Sequence, residues 1–283
     1  SSSKGERYKP MVDLGGWVRS SNESNIQKNS STFWQLKNYV TYSGNIGDKH
    51  HYTAMVGQEC WESSYDFTSV FNSGLPSDEV HNPALGTGTP TINAGFGSSS
   101  MASLTYNYAD RYLGTYTYRY DGSSNFGPEN RWAGFHSLAT SWRFSNETFF
   151  EPLKKVISNG KLRLGWGQTG NANIGGYAWG TSMRRMPSGL GMGYRPSNIP
   201  NTSIKWESQE QWNVGVDLGF LHDRINLTVE WYKKTSSDML MPLQLPSYMG
   251  TSGNASSALA APKGNYGDIE NTGFEISLNT HPI

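Results

Sequence analysis

The sequence holds one cysteine, Cys60, in 283 residues. That leaves no disulfide framework, no CxxC pair and no thiolate metal cluster. Cys60, at a strand end, reads as a small packing residue. No apolar run approaches the ~18–20 residues that a membrane-spanning helix needs. Helical membrane proteins are thereby excluded, while β-barrels are not. Charge is balanced, with 23 Lys+Arg and 23 Asp+Glu, so there is neither a basic footprint for nucleic acid nor an acidic tail. Catalytic signatures are also missing: no HExxH, no GxSxG and no phosphate loop ending in G-K-[ST]. The histidines are the adjacent His50 and His51, beside a tight turn, and the single His81, His136, His222 and His281. Asp78, Glu79 and His81 share a loop but lie too close in sequence to form a base–orienter line unaided. No metal and no cofactor is expected. The opening SSSKGERYKP has no apolar signal segment, and the chain reads as a stretch of a longer polypeptide.

What the sequence does have is aromatics and glycine. Hydrophobic residues total only 35%, yet there are 16 Tyr, 10 Trp and 32 Gly. Low bulk hydrophobicity suits a sheet in which every second strand residue is apolar. Gln211–Lys234, QWNVGVDLGFLHDRINLTVEWYKK, shows the pattern most clearly. Trp212, Val214, Val216, Leu218 and Phe220 alternate with Gln211, Asn213, Gly215, Asp217 and Gly219. After LHDR, Ile225, Leu227, Val229 and Trp231 alternate with Asn226, Thr228, Glu230 and Tyr232. Period-2 alternation specifies strands with one apolar and one polar face. Large aromatics at both ends of the apolar face fit a strand that meets lipid on one side and a wet lumen on the other. A secreted glycan-binding β-sandwich gives the same alternation.

Further strands are expected at Tyr8–Arg19, Phe33–Tyr42, His51–Trp61, Met101–Tyr108, Tyr112–Tyr120, Ala133–Phe144, Lys161–Gly167 and Gly273–Thr280, about ten in all. Their connections fall into two alternating classes. Asn45–Lys49, Ala109–Arg111 and Leu221–Arg224 are tight and Ser145–Gly160 is moderate. Ser20–Thr32, Glu62–Ser100, Asp121–Trp132, Gln168–Glu207 and Thr235–Glu270 are all longer than the tight turns. Outer-membrane barrels sort periplasmic turns and extracellular loops in this way, whereas a Greek-key sandwich has no reason to. The expected fold is therefore all-β, an antiparallel transmembrane barrel wall over residues 1–283. Strand edges in lipid must be paired, and ten strands could close a small barrel of the kind that would suit an outer-membrane hydrolase. Loops of over thirty residues are large for so narrow a barrel, and the final HPI leaves the last strand at a turn, so a longer chain with more strands is the better reading.

Four blocks carry a family resemblance: YNYADRYLGTYTYRYDGSSNFGPENRWAGFHSLATSWRFSNE (Tyr106–Glu147), KLRLGWGQTGNANIGGYAW (Lys161–Trp179), IKWESQEQWNVGVDLGFLHDRINLTVEWYKKTSSDML (Ile204–Leu240) and GDIENTGFEISL (Gly267–Leu278). With GQE at Gly57–Glu59 and SGLPSDEVHN at Ser73–Asn82, the chain resembles the SusC/RagA family of TonB-linked outer-membrane transporters. The resemblance implies a barrel of roughly twenty-two strands, blocked by a plug and covered by a SusD-like lipoprotein lid. It also implies opening by TonB and a cargo of oligosaccharides or peptides, in the outer membrane of Bacteroidota-type bacteria. The plug, the TonB box and the N-terminal domain have no counterpart in these residues.

Three groups of residues are candidates for function. Arg119, Asp217, Glu230 and Glu275 fall on polar strand faces and would line the lumen or grip the plug, with the apolar faces on outer-membrane lipid. Asp121, Glu129 and Arg131, in a loop whose Asp-Gly and Gly-Pro pairs form turns, could join in an ion-pair cluster that folds it over the rim, or contact ligand. Tyr177, Trp179, Arg184, Arg185 and Tyr194 lie among flexible glycines. Aromatic faces stack on sugar rings and Arg donates paired hydrogen bonds. Alternatively, these aromatics pack the loop against a neighbouring loop or a lid.

Overall fold

A computed structural model describes residues 2–10, 12–13, 18–19, 21–75, 87–251 and 258–281. Ten strands form one sheet: β1 (Ser2–Lys9), β2 (Glu23–Ile46), β3 (His50–Ser73), β4 (Thr87–Tyr108), β5 (Tyr112–Ser123), β6 (Trp132–Trp142), β7 (Ile157–Asn171), β8 (Glu207–Phe220), β9 (Ile225–Ser237) and β10 (Ile269–Thr280). Each strand is hydrogen-bonded to its sequence neighbour, in the order β1 to β10 without a crossover. The registered pairs are antiparallel.

Register carries the alternation from strand to strand. Leu164 lies opposite Val214, Val214 opposite Trp231, and Trp231 opposite Phe274. One step along, Leu162, Val216, Val229 and Ile276 form a parallel row. The apolar face is thus continuous across β7–β10. Among the described residues no second sheet covers it, although the β6–β7 connection folds onto its end, where Phe144 lies over Gly160. Phe274 and Ile276 are 75% and 72% exposed, while among the described residues only Leu75, Phe126, Phe135, Phe150, Ile174 and Ile204 are buried hydrophobics. A sandwich would bury this face against a second sheet. A contiguous exposed apolar surface of this extent is instead a surface for lipid.

Aromatics bound the band on both sides, as they do at membrane interfaces. Tyr112 stacks on Trp142 near one set of turns, with ring centroids 6.4 Å apart. Toward the opposite ends of the strands, Tyr120 stacks on Trp132 at 5.3 Å and Trp166 meets Trp212 at 5.9 Å. Glycine complements the rings. A Cβ at Gly122 would lie 2.5 Å from Trp132, and one at Gly273 would lie 2.7 Å from the Tyr232 hydroxyl. Aromatic rings cover strand glycines, which gives the Tyr- and Gly-rich composition a packing role.

Two compact units share these strands: Ser1–Leu36 with Trp61–Phe96, and Lys37–Cys60 with Gly97–Ile283. Within the first, Lys9 pairs with Glu23 across β1–β2 at 2.9 Å, and buried Asn22 clips the connection after β3. Its Oδ1 accepts from the Leu75 amide at 2.6 Å and its Nδ2 donates to the Leu75 carbonyl at 3.3 Å. In the second unit the short turns form a stitched rim. The Ala109 amide donates to the Lys49 carbonyl, Arg143 to Arg111, Leu221 to Val156 and His281 to Arg224, at 2.6–3.1 Å.

Several expected boundaries move. The strand expected over Tyr8–Arg19 lies earlier, at Ser2–Lys9, followed by a two-residue ribbon of Val12–Asp13 with Val18–Arg19. The expected loop Ser20–Thr32 is mostly β2, and the expected loop Glu62–Ser100 is mostly β3 and β4. These strand ends show no alternation that periodicity could reveal; backbone pairing holds them, with side-chain contacts such as Lys9–Glu23 and Ser69–Asn25. The alternation of connections has one exception: residues 124–131 between β5 and β6 are a shorter link than residues 143–156 between β6 and β7.

Candidate functional site

The polar face of the second unit holds an ion network spread over three strands. Arg163 on β7 donates to Asp217 on β8 through Nε at 2.8 Å and Nη2 at 3.2 Å. The same Nη2 lies 3.1 Å from Glu230 Oε2 on β9. Thr228 donates to Asp217 at 3.1 Å and Asn213 to Glu230 at 2.6 Å. Gly215 makes the reach possible: it pairs with both Arg163 and Glu230, and a Cβ there would lie 2.9 Å from Arg163 Nη2. Glu275 sits opposite Glu230 on exposed β10. Arg119 belongs to a second cluster, donating to Asp121 at 3.2 Å and reaching Ser99 Oγ at 3.5 Å, near the Lys37–Glu59 pair at 3.5 Å.

Between these clusters lies a hollow of about 380 Å³, lined on the polar side by Arg119, Ser137, Gly165, Gly167, Gln211 and Asn213. Small residues make room, and the amides and guanidinium supply donors and acceptors without a fixed charge pattern. Such a surface can grip hydroxyls, peptide groups or another protein segment.

At the long-connection end the chain builds its own small core. Phe126, Ile174 and Ile204 are buried together, with Ala172, Ala178, Trp179, Trp206 and Leu240 packed around them. Trp206 stacks on Phe126 at 5.0 Å and meets Phe135 edge-on at 5.9 Å. Side-chain amides sew the three connections together. Asn125 donates to the Ala172 carbonyl, Asn201 to Lys263 and Asn265 to both Lys205 and Asp238, all at 2.8–2.9 Å. The Lys263 ammonium caps the Ile174 carbonyl.

The loop candidates divide accordingly. Trp179 packs on this core. Tyr177 and Tyr194 are exposed, and Tyr177 has a positive φ of 55°. Arg184 and Arg185 lie in a ribbon formed by Met183–Ser188 and Gly191–Pro196, paired with Arg195 and Tyr194; the Arg184 side chain is exposed, and that of Arg185 is outside the described residues. Asp121, Glu129 and Arg131 are not brought into one ion cluster: Asp121 pairs with Arg119, while Arg131 acts through its carbonyl, which accepts from the Ser123 amide at 3.1 Å and Trp206 Nε1 at 3.3 Å. Asp78, Glu79 and His81 lie outside the described residues. In the sequence Arg163 is one more polar-face residue; what sets it apart is Gly215, flanked in register by Arg163 on one side and Glu230 on the other.

The comparisons agree with this geometry. Residues 4–281 match the family model "TonB dependent receptor-like, beta-barrel". The TonB-dependent receptor SusC of Bacteroides thetaiotaomicron is 34% identical over 259 residues, covering 87% of this chain and 24% of that receptor. The RagAB peptide transporter superposes with a TM-score of 0.85 at 24% identity, covering 98% of this chain and 30% of that one. Its "open-open" state gives a TM-score of 0.82. This chain thus spans about a quarter to a third of the relatives it matches. Covered by the family over nearly its whole length, it belongs to the TonB-dependent receptor β-barrels of the outer membrane.

Proposed function

We propose that the chain forms part of the wall of a TonB-dependent importer that takes up oligosaccharides or peptides together with a SusD-like surface lipoprotein. Residues 1–283 act as one segment of the barrel; plug, TonB box and N-terminal domain lie outside it. The observation that carries this reading is the two-faced sheet. A lipid-facing apolar band backs a polar face of ion networks and amides, which in a closed barrel lines the lumen. Arg119, Asp217, Glu230 and Glu275 then face the plug or passing cargo. SusC and the RagAB peptide transporter supply the likeness for import.

The connections suit the lid. Met183, Met186, Leu190 and Tyr194 on the ribbon, and Tyr248 within the β9–β10 connection, are exposed hydrophobics at the long-connection end. An anchored loop core below and apolar side chains above make a base for a protein partner. Tyr177, Arg184, Arg185 and Tyr194 would meet cargo or lid, and Trp179 would hold the loop beneath them. The fold of residues 121–131 over the rim, around Asp121, Glu129 and Arg131, would shape the same entrance.

Deleting the full gene and supplying defined oligosaccharides or oligopeptides as sole carbon source tests the proposal. Loss of growth on one class, reproduced by loss of TonB and of the adjacent lipoprotein, is the expected result. Unchanged uptake of both classes would rule it out.

A further inference from the structure

Among the described residues, the connection between β6 and β7 is the one short-end link that does not merely turn. It folds back onto the lipid-facing side of the wall. Phe144 lies over Gly160, where a Cβ would come within 2.2 Å of its ring, and Gly160 shares its face with Leu162 and Leu164. Phe150 is buried against Phe144, with centroids 5.3 Å apart. Glu147 then locks the fold: it accepts from Tyr112 Oη at 2.8 Å, Trp142 Nε1 at 3.2 Å and Arg111 Nη1 at 3.1 Å. Tyr112 and Trp142 both stand on the apolar face.

This folded segment leaves a specific surface outward. Phe149 is 63% exposed although its ring lies 6.3 Å from Trp142, and Leu153 and Val156 are exposed on the same segment. Beside them Lys154 pairs with Glu151 at 2.7 Å, and Arg143 and Lys155 are exposed cations with no ion pair among the described residues. Apolar side chains joined to the lipid band through Phe149 and Trp142, with cations on the same segment, have the composition of an interfacial anchor.

We infer that residues 144–156 form a foot that dips into the periplasmic leaflet, with Phe149, Leu153 and Val156 among the acyl chains and Arg143 and Lys155 on phospholipid phosphates. The inference depends on the membrane placement of the barrel and not on the identity of its cargo. The foot fixes the depth of the wall at β6–β7, where the neighbouring turns, residues 109–111 and 221–224, are much shorter links.

Site-directed spin labelling of the intact transporter tests it. In a cysteine-free background including Cys60→Ser, single nitroxides are placed at Phe149→Cys and Leu153→Cys, with Asp223→Cys as the water-facing reference at the same end. The protein is reconstituted at one barrel per nanodisc in phosphatidylethanolamine and phosphatidylglycerol. Expected is an oxygen-to-nickel collision ratio at least about threefold higher at 149 and 153 than at 223, as for side chains at the acyl boundary. Ratios equal to that at 223 would overturn the foot. Protection of 149 and 153 from both reagents would mean a covering protein segment and would overturn it equally. Retained heat-modifiable gel mobility of each variant shows that the barrel is folded.

Discussion

At the scale of single residues, the decisive quantity is which face a side chain occupies. Val216 sits at the middle of the outward row of β8, flanked by Leu162 and Val229. Asn213 points to the other face, where it donates to Glu230. Val216→Arg should therefore destabilise the intact barrel by ~2–4 kcal/mol, the cost of a cation at the bilayer midplane. Asn213→Arg gains a carboxylate neighbour and should cost far less. A urea titration of both variants in lipid checks this; equal penalties would sink the facing assignment. Glu147 gives a pH-dependent counterpart. Hydrogen bonds from Tyr112 and Trp142, with the Arg111 charge, hold its carboxyl below the usual range. A lowered folded-state value means that the stabilisation is present above the unfolded-state pKa and is lost as pH falls through the folded one. A nitroxide at residue 149 should become more mobile on acidification below the ordinary carboxylate range, and Glu147→Gln should remove that pH step. An identical titration in both proteins would discard Glu147 as the lock.

At the scale of elements, legibility followed lipid. Strands inside the apolar band alternate because their outward face meets hydrocarbon, so β8, β9 and β10 were readable nearly residue by residue. The ends of β2, β3 and β4 lack alternation; nothing in ESNIQKNSST distinguishes a paired strand from a polar loop. The polar face was readable as a face but not as a network, because Arg163, Asp217 and Glu230 become neighbours only through register. The loop core was hidden for the same reason: Phe126, Ile174 and Ile204 come from distant connections. Gly215 connects these levels, since its missing side chain lets Arg163 cross β8. Gly215→Val should displace the guanidinium, leave Asp217 and Glu230 unpaired, and cost about 1–3 kcal/mol by overpacking. The neighbouring Gly165→Val, whose Cβ would meet nothing nearer than 3.8 Å, should cost less. Denaturant midpoints of the two variants compare the sites directly, and a more harmful change at Gly165 would contradict the role given to Gly215.

For the whole molecule, the sheet edge governs what this stretch can do alone. In the described residues β10 pairs with β9 on one side, and its side chains are exposed almost throughout. Each backbone group left without a partner in hydrocarbon costs several kcal/mol, so an edge strand at membrane depth demands a neighbour. That cost exceeds what the ion networks and aromatic girdles return, because most of the apolar area here is stabilised by lipid rather than by protein contacts. Residues 1–283, expressed alone and refolded into detergent, should not reach the heat-modifiable, protease-resistant state that marks a closed barrel. The intact transporter should reach it under the same conditions. Semi-native gel mobility with and without boiling reads both. A heat-modifiable band from the isolated stretch, at a mass matching one copy, would mean that ten strands close on themselves and that the edge argument fails.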